Sequence, residues 1–225
     1  MKKYLVPAVF TILIIGLLGF AIKASLSSSN DPKPEDTSAP KYKLSDEDKK
    51  ALKQGQATGG DDAKVVITEF ADFQCPACRF YETTTQELRN LYPEKLKIVY
   101  KHLPLYPQPH KNALVAAYAS EAAALQGKFW PMHDILYEKQ ADWSEEANPK
   151  PLFLIYAQNI GLNVDQFSRD MDAEAGKDAI NRDKDFAKKL ELGGTPSFFI
   201  NGEPFDTKTG GEALKTKIKD LIEKS

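Results

Sequence analysis

Cysteine is nearly absent from this chain: Cys75 and Cys78 are the only two in 225 residues. A structural zinc site needs about four ligands. Beyond those thiols the sequence offers three histidines, His102, His110 and His133, at irregular spacing. Metal binding is therefore the weaker rival reading of the pair, and no metal ligand is assigned. A purely structural disulfide is disfavoured too, because so short a loop constrains the unfolded chain very little. Basic excess is lacking as well: 30 Lys and Arg against 32 Asp and Glu leave a formal net charge of −2. That excludes a nucleic-acid partner held by broad electrostatics, since no cations are left over to neutralise phosphates. Redox chemistry is then the first hypothesis for a lone C-x-x-C pair.

The N-terminus lacks what a processed leader would carry. Met1-Lys2-Lys3 is followed by Tyr4 to Ile22 without a charge, long enough as a helix, at about 28 Å, to cross a bilayer. Its exit reads Ala21-Ile22-Lys23-Ala24-Ser25, with Ile22 where a cleavage site wants a small residue. No cysteine follows, so lipoprotein processing is excluded. Residues 1–24 read as an uncleaved membrane anchor, with a cleaved signal as the alternative; either way the body is exported. Ser25 to Lys43 has almost no large apolar residue and contains Pro32, Pro34 and Pro40, the composition of a tether. Within the linker region 25–60, Ser45 to Gln54 reads as a short helix capped by Ser45 and Asp48, thin in apolar content.

The body, 61–225, has 42% hydrophobic residues in the whole chain to draw on, enough for one sizeable core. Ala63 to Phe70 is rich in β-branched residues and reads as a buried strand, Cys75 to Leu91 as a helix, and Leu96 to Leu103 as a second strand. Such a βαβ unit has parallel strands, and its chemistry belongs at the carboxyl end of the first strand, where the cysteines sit. Residues 110–192 are helical almost throughout, and their aromatics read as core, since nothing there cradles a cofactor. Gly193 to Ile200 marks a return to strand; a turn at Asn201-Gly202, a returning strand from Glu203 to Asp206 and a final helix after Gly210-Gly211 complete the order βαβ, helices, ββα.

That order, with Glu69-Phe70-Ala71-Asp72-Phe73-Gln74-Cys75-Pro76-Ala77-Cys78 at one end and Gly193-Gly194-Thr195-Pro196-Ser197 at the other, resembles the thioredoxin superfamily. The inserted helical block makes it similar to the DsbA-like thiol–disulfide oxidoreductases. Tyr100 to Leu105, His110 to Ala113 and Gly127 to Asp134 also resemble that family. The fold class implied is α/β, a thioredoxin fold with a helical insertion, behind an N-terminal transmembrane helix.

A thiol at a helix N-terminus meets unpaired N–H groups and the positive end of the macrodipole, which favour its anion. Cys75 is thus expected to attack, and Cys78, one turn in, to form the internal disulfide and resolve mixed disulfides. The resemblance implies a cis Thr195–Pro196 bond beside the cysteines, with Thr195 pairing an extended substrate; an ordinary trans proline starting a strand is the alternative. It also implies that Glu69 relays protons to Cys78, with Lys97 as its ion-pair partner, unless Glu69 lies exposed at a sheet edge. The family's strongly oxidising members carry histidine after the proline; this chain has Ala77. No cofactor is expected. The expected partners are reduced or unfolded exported proteins and a membrane redox protein that reoxidises the pair. Reductase and isomerase remain alternatives within the same fold.

Overall fold

The structure, a computed structural model, describes residues 44–225. The expected anchor at Tyr4 to Ile22 and the tether up to Lys43 lie outside the described residues. Among the described residues no helix is long and apolar enough to cross a membrane.

Helix α1 (Asp46–Leu52) begins with a capping box: the Asp48 N–H donates to Ser45 Oγ at 3.1 Å, and the Ser45 N–H to Asp48 Oδ2 at 3.1 Å. Its few apolar residues nevertheless matter, because Leu52 is buried against Phe70 and Phe199. Immediately after it comes a strand that composition does not announce. Residues 56–59, read above as the tail of the linker, form β1 (Gln56–Gly59). The folded body therefore starts before residue 61. Gly59 and Gly60 make this possible, for a Cβ on either would stand about 2 Å from the carbonyl oxygen of Leu96 or Glu94, and Gly59 has φ +98. Gly59→Ala should cost more than about 1 kcal/mol, read as a lower urea midpoint with an unchanged slope.

The sheet has five strands in the order β1-β3-β2-β4-β5. Strand β2 (Val65–Ala71) lies at its centre, parallel to β3 (Leu96–His102) and antiparallel to β4 (Ser197–Ile200). Strand β1 covers the outer edge of β3, and β5 (Glu203–Phe205) that of β4, both antiparallel. Every residue of β2 is buried, the signature of a strand covered on both faces. Val65 and Ile67 face α2 (Pro76–Leu91) and α9 (Gly211–Glu223), where Leu88, Leu214 and Ile218 complete a layer. On the other face, Phe70 meets α1 and α8 (Lys177–Lys189), and the Thr68 hydroxyl donates to the Leu52 carbonyl at 2.8 Å. At the β4–β5 turn Asn201 and Gly202 both have positive φ, 52 and 84, as the tightest hairpin turns require. The Asn201 side chain accepts from the Val66 N–H at 2.8 Å, tying the hairpin to β2.

Between β3 and β4 run α3 (Ala113–Ala124), α4 (Phe129–Glu138), α5 (Gln140–Trp143), α6 (Lys150–Asn159), α7 (Val164–Asp172) and α8. The helical run expected over 110–192 is broken before α8, which starts at Lys177 because Glu174 and Gly176 take left-handed backbone (φ 53 and 71). Most of this block packs with Phe73, Cys75 and Cys78 into a single core centred on Met132, Leu136, Trp143 and Phe153. The insertion is thus built directly onto the cysteine loop.

Candidate active site

The carboxyl end of β2 delivers the chain into Asp72-Phe73-Gln74, and α2 begins at Pro76 with Cys75 as its N-cap. Proline suits that first helical position, where its missing N–H leaves no bond unmade. Cys75 itself is 6% exposed and Cys78 fully buried, both as free thiols. The Thr195–Pro196 peptide is cis, and Cys75 Sγ lies 3.6 Å from the Thr195 carbonyl oxygen. The fold thus brings Cys75, Cys78, Thr195 and Pro196 to one place across 120 residues of sequence.

The two thiols are pushed in opposite directions. The adjacent Cys78 thiol is the main reason Cys75 is held down at about 5; Thr195 and the N–H groups of Cys78 and Ala77 add to it, against the opposing cost of burial. The Thr195 hydroxyl is buried beside Cys75 with no hydrogen-bond partner among the described residues. Burial pushes Cys78 well up, and the negative charge that develops on Cys75 pushes it further. One thiol is therefore an anion at neutral pH and the other holds its proton.

Glu69, on β2, is 2% exposed with strands on both sides, so the edge position is excluded. Burial drives its carboxyl well above the usual carboxylate range, with the Glu82 carboxylate adding to the effect and Arg89 opposing it. Lys97 is not its partner. In register Lys97 faces Val66 while Glu69 faces Tyr100, and this odd offset puts the two side chains on opposite faces of the sheet. Lys97 instead meets the exposed Asp61 at 3.2 Å. Glu69 enters no ion pair among the described residues.

Sequence reasoning passed over the groups that lock the cysteine loop. The buried Asp72 carboxylate accepts from the Gln74 N–H (2.7 Å), the Leu105 N–H (2.9 Å) and His110 Nδ1 (2.7 Å). The Gln74 side chain donates to the Ser144 carbonyl and accepts from the Asn112 N–H. Gln140 donates to the carbonyls of Phe73 (2.7 Å) and Cys75 (3.0 Å). The available signal was the placing of Asp72 and Gln74, two polar residues inside an apolar run beside the thiols. Each of the three histidines is held by a separate carboxylate: His102 by Glu121, His110 by Asp72 and His133 by Asp134. Among the described residues, one trio of donors is close enough to ring a metal ion, Glu82, His133 and Asp134. Arg89 already donates to both of its carboxylates at 2.8 Å, so the cation's place there is filled.

A C-x-x-C dithiol at the mouth of a helix, on a five-stranded sheet of this order, is the arrangement of the thioredoxin fold. The chain belongs to the thioredoxin family whose model, Thioredoxin_4, matches residues 51–220. It is 38% identical over 160 residues to the Na(+)/H(+) antiporter NhaA 3 of Salinispora tropica, a stretch covering 71% of this chain and 24% of that protein. The chain thus spans about a quarter of the length of the curated relatives it matches. Among solved structures it is similar in fold to oxidised BdbD from Bacillus subtilis, at 22% identity and a TM-score of 0.65, over 74% of this chain and 92% of that one. A thioredoxin-like oxidoreductase from Silicibacter pomeroyi shares 26% identity with a TM-score of 0.62, over 81% and 99%.

Proposed function

We propose that this chain is an extracytoplasmic thiol–disulfide oxidoreductase, tethered to the membrane by Tyr4 to Ile22, that donates the Cys75–Cys78 disulfide to reduced exported proteins. The observation carrying this reading is the placing of Cys75 at the N-cap of α2, against Cys78 and 3.6 Å from the carbonyl of the cis Thr195–Pro196 peptide, where its thiol is held down at about 5. A thiolate stabilised that far favours the reduced pair, and a protein whose reduced form is favoured passes its disulfide on. Cys75 is the sulfur that substrates attack or that attacks them, and Cys78 closes or opens the internal bond. The cis Thr195–Pro196 segment offers backbone beside Cys75 for an extended substrate. On the first turns of α2 Pro76, Ala77 and Phe80 are exposed, Phe80 at 63%. Unfolded polypeptide, rich in uncovered apolar side chains, suits such a surface. A membrane redox protein reoxidises the pair. Sodium–proton exchange is not carried over from the antiporter relatives, of which this chain covers so small a share.

The test is the reduction potential against glutathione. A value near roughly −270 mV, that of a thioredoxin, would turn the assignment into a reductase. A potential well above that supports the oxidase. In a second experiment Cys78→Ser should accumulate mixed disulfides through Cys75 with reduced substrates. Mass spectrometry that finds the adduct elsewhere would reverse the two roles.

A further inference from the structure

Cys78 is sealed from solvent, and so is Glu69 beside it. Whenever Cys78 attacks or leaves, a proton must cross the interior to reach it. Glu69 faces Tyr100 in register, and the Tyr100 ring lies 5.1 Å from that of His133, a member of the charged cluster of Glu82, Arg89, His133 and Asp134. Arg89 Nη2 donates to Glu82 Oε1 and Asp134 Oδ1, both at 2.8 Å, and stacks over the Trp130 ring. The Thr85 hydroxyl donates to Glu82 Oε2 at 2.8 Å, and His133 Nε2 stands 3.8 Å from that same oxygen. On its other side His133 Nδ1 meets Asp134 at 2.8 Å. The imidazole is 1% exposed, enclosed by the rings of Phe73, Tyr100, Phe129, Trp130 and Tyr137. Asp134 is the open end, with its side chain 35% exposed in a cleft of about 250 Å³ that Glu82, Arg79 and Glu138 also line.

The charges leave room for one mobile proton. Arg89 supplies one positive charge against the carboxylates of Glu82 and Asp134, so even with Glu69 holding its proton the cluster carries an excess negative charge and has a place for one proton more. A buried cluster that needs a proton but has several places for it is suited to passing one along. We propose that Glu82, His133 and Asp134, gathered around Arg89, connect Glu69 to solvent and so carry the proton exchanged by Cys78. When a substrate thiolate attacks Cys75, the new bond joins substrate sulfur to Cys75, the Cys75–Cys78 bond breaks, and Cys78 leaves with the electron pair. Glu69 then gives Cys78 its proton and is refilled from the cleft through Glu82 and His133. In the reverse direction Cys78 gives its proton to Glu69, attacks Cys75, and expels the substrate sulfur as thiolate. The inference rests on the roles proposed above for the two thiols.

Stopped-flow exchange with a cysteine-containing peptide separates the two. Peptide adduct formation at Cys75 in Cys78→Ser tests the roles alone; its failure would sink those roles whatever the cluster does. With that step intact, Glu82→Gln, which keeps the size and an oxygen to accept from Arg89 while its amide can donate to the Thr85 hydroxyl, tests the relay. It should slow the step in which Cys78 attacks the mixed disulfide by roughly tenfold or more at pH 7. The rate should rise with pH into the alkaline range, where hydroxide takes over removal of the Cys78 proton, and Glu82→Asp should restore much of it at pH 7. His133→Gln should act in the same direction and add little to Glu82→Gln, because both interrupt one path. A Glu82→Gln variant that folds, yet shows an unmoved pH profile and solvent isotope effect for that step, would overturn the relay. Equal slowing of both steps at all pH values would also overturn it, since that marks a loss of packing.

Discussion

The reduction potential of the Cys75–Cys78 pair should change its pH dependence near pH 5. Below that point both reduced thiols are protonated, so reduction takes up two protons with two electrons and the potential falls by roughly 59 mV per pH unit. Above it Cys75 remains a thiolate, only Cys78 takes a proton, and the slope halves to roughly 30 mV. Because Cys78 is pushed well up by burial, no second break is expected until the alkaline range. The same shift acts on stability. An unfolded thiol titrates at roughly 8.5, so between about 5 and that value the folded dithiol protein binds fewer protons than the unfolded one. Its stability therefore rises with pH across that window, is complete above it, and is lost as pH falls through about 5. The disulfide form has neither thiol and lacks this dependence. Raising the pH from 5 to 8.5 should lift the melting temperature of the dithiol form relative to the disulfide form by on the order of 5–10 °C, after allowance for solvent screening. A single break at about 8.5, with parallel melting curves, would mean that Cys75 is an ordinary thiol and would remove the basis of the oxidase proposal.

Glu69→Leu should stabilise the protein while impairing it. The carboxyl is buried, enters no ion pair among the described residues, and faces the negative charge of Glu82. Leucine fills nearly the same space without the polar group, a change worth about 1–3 kcal/mol. The gain depends on pH in a defined sense. An unfolded glutamate titrates at roughly 4.3, whereas the folded one holds its proton to much higher pH. Through that interval the wild-type folded state binds more protons than the unfolded state and loses stability as pH rises. Glu69→Leu should therefore gain little at pH 4 and most above pH 7, in paired denaturation curves. On the relay proposed above, turnover should fall, because the carboxyl that exchanges a proton with Cys78 is gone. If the variant is instead destabilised at every pH, Glu69 is held by interactions stronger than its burial suggests.

The parts of this fold that were legible in sequence are those where one physical demand dominates. Val65 to Ala71 is covered on both faces and so reads as an unbroken apolar run. Asn201-Gly202 reads as a turn because few other pairs take two positive φ values. The two thiols stood out because no others compete with them. Strand β1 was hidden for the opposite reason: at an edge with alternate residues exposed, Gln56-Ala57-Thr58-Gly59 needs no apolar pattern. The glycines that admit it respond to carbonyls of the Glu94–Leu96 stretch, almost forty residues on. Polar tethers were equally hidden, since a buried Asp72 or Gln140 is spelled as an exposed one would be. Their burial is decided by His110, Leu105 and the Phe73 carbonyl, which the fold supplies. Lys97 illustrates the limit from the other side: it is near Glu69 in register, and a difference of strand parity separates them.

Gln140, near the start of the short α5, reaches the carbonyls of Phe73 and Cys75, while Gln74 and Asn112 fasten the same loop to Ser144. The helical block is consequently a splint for the nucleophile and not an ornament between two halves of a thioredoxin. Any attempt to trim this chain to a minimal redox domain, or to graft its cysteine loop onto another scaffold, has to carry three segments together: 72–75, 105–112 and 140–146. Moved alone, the C-x-x-C stretch would arrive with its chemistry spelled correctly and its geometry left behind.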